Sequence, residues 1–321
     1  MSHLRCEYFL TDYLYKYGNF NASTIKSAYN IEGYFDNYNL DKVSLKSSTN
    51  ILTMRKKGGY HDTVNKKRVY EFVIIPSCGF LNSPEPLMKD CELKLSFDRS
   101  KPYTSVIDIG TTTPSVSDPI EIKDVVAITE YVSSPNLRNY FDSIDYSPLT
   151  YEFDSCQIMV KSIPIGETEV RFDNLRGGKT PLAMFAAIIP QAALSGSADT
   201  SSTHFKLNNV DTMDFTLNGN SVHGFPLTVK NESPVQPLQK FLDATDRYYN
   251  VVCGESLSLI DFDYNWLWSH KFESEVSDQG WVGVNMKLKN PFVASMSLVV
   301  WVVSPEKITV DKFHKVERLT L

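Results

Sequence analysis

The sequence predicts an all-β sandwich of the jelly-roll kind, with a few short helices in long loops. Three observations predict it. The last third alternates hydrophobic and polar residues with the two-residue period of strands, one amphipathic helix stands alone among those strands, and strand signals recur at short intervals upstream between connections rich in Pro, Gly, Ser and Asn. With 321 residues, 42% of them hydrophobic, the chain is long enough to bury a large core and to form one large domain or two ordinary ones.

Taken in order, Cys6, Phe9, Leu10, Tyr13, Leu14 and Tyr17 share one helical face before the stop at Gly18. An Asn- and Ser-rich stretch follows to about residue 68 and reads as loop; it includes the basic run Arg55, Lys56, Lys57, Gly58, Gly59, whose plain reading is a solvated turn. Strand signals then fall at 70–75, 93–97, 105–109, 120–132, 157–163, 170–172 and 182–189. Turns between them are marked by Ser83-Pro84-Glu85-Pro86, Ser134-Pro135-Asn136 and Ser195-Gly196-Ser197. Met213, Phe215 and Leu217 alternate with Thr212, Asp214 and Thr216, and Val282, Val284, Met286 and Leu288 alternate with Gly283, Asn285, Lys287 and Lys289. Both patterns predict strands with one buried and one wet face. Over 296–303 both faces are apolar, which predicts a central strand or one covered on its outer side. The inserted helix is expected over 238–249, carried by Leu238, Phe241, Leu242, Thr245, Tyr248 and Tyr249.

Composition excludes several functions. A formal net charge of -6 argues against a nucleic-acid-binding surface, and no run reaches the roughly 18–20 apolar residues that cross a bilayer. The opening MSHLRCEYFL lacks the parts of a secretion signal. Cys6, Cys78, Cys91, Cys156 and Cys253 are odd in number and scattered, which predicts reduced thiols and folding in the cytoplasm or nucleus. Aromatic residues make up 12% of the chain without clustering beside Arg or Lys, so they read as core filling more readily than as a stacking platform.

No motif concentrates chemistry. Arg176-Gly177-Gly178-Lys179-Thr180 imitates a phosphate loop, but Asp173 stands where its first glycine belongs and Pro181 opposes the helix that should follow, so an exposed turn is expected. Gly254-Glu255-Ser256-Leu257-Ser258 lacks the second glycine of a nucleophile elbow. His3, His61, His204, His223, His270 and His314 show no ligand spacing, and Asp261 and Asp263 have too few neighbouring carboxylates for a calcium site. Asn21 and Asn231 match glycosylation acceptors with no secretion signal to make them relevant. No catalytic, cofactor-binding or metal-binding residue is therefore assigned, and no enzyme is expected.

Several segments, in a shared order, resemble the double jelly-roll major capsid (hexon-type) proteins of Polinton or Maverick elements and adintovirus-like viruses. They are YFLTDYLYKYG at 8–18, FVIIPSCGFLNSPEPLMKDCELKLSFDRSK at 72–101, CQIMVKSIPIGETEVRFDNLRGGKTPLAMFAAIIPQAALSG at 156–196 and FTLNGNSVHGFPL at 215–227, with its asparagine-glycine turn. The strands that open such proteins before the Tyr-Gly helix have no counterpart here. The resemblance implies that 1–100 is the rear of a first jelly roll and 101–321 a second, more complete one. It further implies a capsid subunit located in the virion, self-associating as a homotrimer beside other capsid proteins. The helices at 6–17 and 238–249 are candidates for subunit contacts, with burial of their apolar faces on their own sandwich as the equal alternative. A jelly-roll binding module, lectin-like or a receptor-binding spike, is the alternative of another class; a cupin-type enzyme would need the clustered His and carboxylate ligands that the spacing does not offer.

Overall fold

In the computed structural model, residues 148–196, 209–229, 233–245, 266–272, 279–313 and 315–320 are described continuously. Shorter described pieces lie at 59–64, 67–71, 79–82, 86–87, 91–97, 121–129 and 133–142, with single residues such as Val73, Phe205, Leu259 and Phe262. The expected helix at 6–17, the strand at 105–109, the basic run up to Gly58, the Gly254–Ser258 segment, Asp261, Asp263, Asn21, Asn231, Tyr248 and Tyr249 lie outside the described residues.

The principal strands are β3 (Leu149–Ile163), β4 (Glu169–Lys179), β5 (Ala183–Pro190), β6 (Val210–Leu217), β7 (Asn220–Ser221), β8 (Leu227–Thr228), β9 (Trp268–Lys271), β10 (Gln279–Leu288), β11 (Met296–Val310) and β12 (Val316–Thr320). An upstream hairpin joins β1 (Gly59–Asp62) to β2 (Lys67–Tyr70). All pairings are antiparallel. One sheet runs β3-β11-β5-β9, with β12 against the far end of β11; the other runs β4-β10-β6, with β7 and β8 both on β6. From β3 to β12 the polypeptide therefore crosses between sheets at six of nine connections, and each sheet interleaves early and late strands, which is the double Greek-key winding. This is a jelly roll.

β11 is the spine. It pairs along its whole length with β3, while its first half takes β5 and its second half β12. Leu298, Val299, Val300, Trp301 and Val302 are all fully buried, as the two-faced apolar run requires of a central strand. One of its faces meets the core of the sandwich, and the other, at Trp301 and its partner Phe185, is roofed by Phe205 and Phe241. The helix α3 (Val235–Ala244), which follows α1 (Pro135–Asp142) and α2 (Gln191–Ser195) in the chain, supplies Phe241 and packs on β9, β5 and β8. It begins before and ends short of the expected 238–249; Thr245 closes it by donating its hydroxyl to the Phe241 carbonyl at 2.8 Å.

Four expectations are corrected. The alternating 93–97 is not a strand: Leu93, Leu95 and Phe97 are exposed, no described strand pairs with them, and of residues 91–97 only Cys91 packs against the protein interior. Residues 121–129 are irregular too; Asp124 sits at φ 53, in the left-handed region that breaks an extended run, and Ile122, Val125, Val126 and Ile128 are exposed. Ser134-Pro135-Asn136 opens a helix, α1 (Pro135–Asp142), since Ser134 Oγ accepts from the Asn136 N–H as an N-cap and proline suits the first helical position. Finally, Asp214 and Thr216 are buried and not wet: Ser221 of β7 bonds to Asp214, and Thr216 stands beside Gly283, against which β4 bulges. Phe172 pairs with Val284 and Arg176 with Val282, so Asp173, Asn174 and Leu175 all oppose Gly283. A Cβ on Gly283 would lie 2.7 Å from the Phe172 carbonyl oxygen, so only glycine leaves the bulge room.

Beyond the end of β5, the long β3–β11 ribbon carries a second small core of Leu149, Tyr151, Ile308 and Val310, packed by Phe80, Cys91 and Phe141. A 3-10 turn, Gly79–Asn82, delivers Phe80 edge-on to Tyr151 and Phe153, and Tyr151 donates its hydroxyl to the Pro86 carbonyl at 3.3 Å. Gly79 passes so close to β3 that a Cβ there would overlap the carbonyl oxygen of Asp154. Gly79→Ala is expected to weaken this docking by about 1–3 kcal/mol, the usual cost of forced overpacking. Hydrogen exchange restricted to 79–97 would rise while β10 and β11 stay protected; unchanged protection at Phe80 and Leu81 would refute the contact.

Candidate functional site

Polar side chains gather in three places on the sandwich. The first is the seam between the sheets beside α3. His270 on β9 and His223, in the turn that follows β7, meet edge to face with ring centroids 4.4 Å apart and planes at 88°. His270 also stacks on Phe215 of β6 at 6.3 Å and meets Phe272 edge-on at 4.6 Å, so it joins the two sheets through ring contacts alone. Burial holds the His223 imidazole down at about 4, aided by the Lys240 cation of α3. Burial, then the neighbouring His223 and Lys240, hold His270 at about 3. Both rings are therefore neutral at pH 7, and the Nε2 of His223 is buried without a hydrogen-bond partner.

The sequence reading kept all six histidines apart, and this pairing escaped it. No spacing rule reaches across a turn in one sheet and an edge strand in the other. A signal exists only in hindsight of the fold: His270 stands between Trp268 and Phe272 at strand period, on the buried face.

The second cluster closes one end of the sandwich. Glu306 of β11 is 1% exposed and takes both arms of Arg318 from β12, Nε to Oε2 at 2.8 Å and Nη2 to Oε1 at 2.5 Å. Arg176 crosses from β4 in the opposite sheet and donates to the hydroxyl of Ser304. Burial lowers the Arg176 guanidinium from its ordinary value, and the Glu306 carboxylate pulls it back up. The stretch expected to be an exposed turn, Arg176 to Lys179, is thus the end of β4, paired residue by residue with Gln279 to Val282. The backbone of a phosphate loop must stand free to cradle an anion, whereas this one is spent on a ladder.

The third cluster lies under the β4 bulge. Asp214 accepts from Ser221 Oγ at 2.7 Å, and its cross-strand neighbour Asn285 and nearby Thr216 each hold a buried oxygen without a partner. Among the described residues, no three His, Cys, Asp or Glu side chains converge as a metal-binding group, and no helix is long and apolar enough to cross a membrane. Of the cysteines, Cys91 is half-buried and Cys156 buried, while Cys6, Cys78 and Cys253 lie outside the described residues, as do His3, His204 and His314. These clusters bind their own strands together; none forms a nucleophile, base and oxyanion arrangement around an open space.

No protein-family model matches the sequence, and no curated protein matches it. Several solved structures overlap it in part, among them the following two. A quasi-atomic model of the PBCV-1 virus capsid matches with a TM-score of 0.37 and 9% identity over 59% of this chain and 55% of that one. The PBCV-1 VP54 crystal structure, fitted into a cryo-EM reconstruction of the virophage Sputnik, matches with a TM-score of 0.38, 9% identity and the same coverage of 59% and 55%. The chain thus spans about half the length of the solved structures it matches. The fold rests on the sheet order described above, not on these overlaps.

Proposed function

We propose that the chain is a structural subunit of a viral capsid, a double jelly-roll protein like those of Polinton or adintovirus-like elements. In this reading residues 101–321 form the second jelly roll and 1–100 the rear part of a first. One observation carries it: the segments of the sequence resemblance, 156–196 and 215–227, fall in order on the strands that wind the jelly roll, from β3 through β6 and the Asn218-Gly219 hairpin. Asn218 at φ 53 and Gly219 at φ 81 make the tight turn that the motif implies.

The physical case is one of shape. A sandwich with its apolar faces turned inward leaves broad sides and end loops for neighbours. Repeated contacts between identical copies then close a shell around symmetry axes. In this role the subunit has no catalytic step and no cofactor, its partners are further copies in a trimer and other capsid proteins, and its place is the virion.

Light scattering and negative-stain microscopy of the expressed chain test the reading. Ring-shaped trimers are the expected result, and a strict monomer at high concentration argues against it. If the monomer also bound immobilised glycans, the lectin-like alternative would take its place.

A further inference from the structure

We propose that the His223–His270 contact is an acid-operated latch on the seam between the two sheets, released when both imidazoles take up protons. The geometry comes first. One ring belongs to the segment between β7 and β8 and the other to edge strand β9 of the opposite sheet, with centroids 4.4 Å apart. Helix α3 lies over both strands, packing on β9 and β8. Phe215 and Phe272 line the pocket with apolar surface, which offers a cation no counter-charge. Protonation of both rings in place would put two cations in contact inside that pocket, with Lys240 of α3 as a third.

Among the described residues, the surrounding charges leave this uncompensated. On α3 the groups are Lys240 and the exposed Asp243, and on β9 the exposed Lys271. Asp214 of β6 points to the other face, bonded to Ser221. β5, β8 and the turn at 222–226 contribute no charged side chain. Among the described residues, no carboxylate acts on either imidazole.

The sign follows from linkage. In the closed seam the rings resist protonation until about pH 4 and about pH 3, whereas in an opened seam they regain the ordinary value of 6.5. Between those limits the open state binds two more protons than the closed one. Closure is therefore fully favoured above pH 6.5 and weakens as the pH falls towards 4. Each proton shifts the equilibrium about tenfold per pH unit, so the pair shifts it about 100-fold. Opening is local, because β10 and β11 lie away from the edge and α3 is held chiefly on β9.

Hydrogen exchange of the full chain, corrected for intrinsic rates, reads the latch directly. From pH 5.5 to 4.5, opening at 221–229 and 235–244 should increase about 100-fold while amides of β10 and β11 change little. His270→Phe, which keeps an aromatic ring between Phe215 and Phe272, should reduce the rise to about tenfold, and His270→Phe with His223→Gln should abolish it. A double variant that retains the 100-fold response overturns the latch, as does a rise spread equally over β10 and β11. Should the double variant fold poorly, NMR titration of the imidazoles in the unaltered protein decides. Both must stay neutral in the closed state down to pH 5, and titration of either near 6.5 without opening overturns the proposal.

Discussion

Trp301→Ala is expected to cost about 3–5 kcal/mol, the range for emptying a large aromatic site in a close-packed core. Trp301 is fully buried at the middle of β11, opposite Ile158 on one side and Phe185 on the other. Phe205 meets its ring at 5.8 Å and 72°. Both neighbouring strands are held by ladder bonds along their length, so the backbone cannot collapse into the void, and the loss approaches the upper part of the range. Trp301→Phe leaves a smaller gap and should cost clearly less. Denaturant unfolding checks this: the midpoint falls while the slope stays constant, since the surface exposed on unfolding hardly changes. A loss below about 1 kcal/mol would mean that the layer over this face is not packed as described.

Why Trp301 was foreseeable and other features were not is a matter of which residues carry a periodic signal. β6, β10 and the first half of β11 were legible because their apolar residues repeat at period two, or fill both faces. The Asn218-Gly219 turn was legible because a two-residue hairpin needs positive φ at both positions. β4 was reduced to a fragment at 170–172 for a physical reason: the bulge at Asp173, Asn174 and Leu175 breaks the alternation, and Gly177 and Gly178 have no side chains to extend it. Segments 93–97 and 121–129 fail in the opposite sense. Their composition favours strands, but a strand exists only where a partner edge accepts it, and sequence period carries no record of the partner. The polar clusters were least legible. Asp214 and Thr216 alternate like a wet face yet are buried, and His223 meets His270 only through the sheet order.

The second half of β11 carries the other large effect. Its Ser304-Pro305-Glu306-Lys307 stretch breaks the apolar run of 296–303, yet it continues the ladder with β3 and begins the one with β12. Glu306 stands there at 1% exposure, so its two bonds from Arg318 replace the water it has lost. Arg318→Ala should cost about 3–5 kcal/mol, the penalty for leaving a buried charge without its partner. Arg176 softens that penalty only in part, since its donor bond goes to Ser304 and it belongs to the opposite sheet. The pair itself is a different matter from its halves. Replacing both residues, Glu306→Leu with Arg318→Leu, removes the desolvation cost together with the attraction, and is expected to leave stability near that of the unaltered chain. Unfolding measurements on the two single variants and the double complete the cycle, with exchange at 316–320 as a local reading, because β11 is the only described strand that pairs with β12. Singles and double losing equal amounts would show that the carboxylate is solvated and that the end of the sandwich is open.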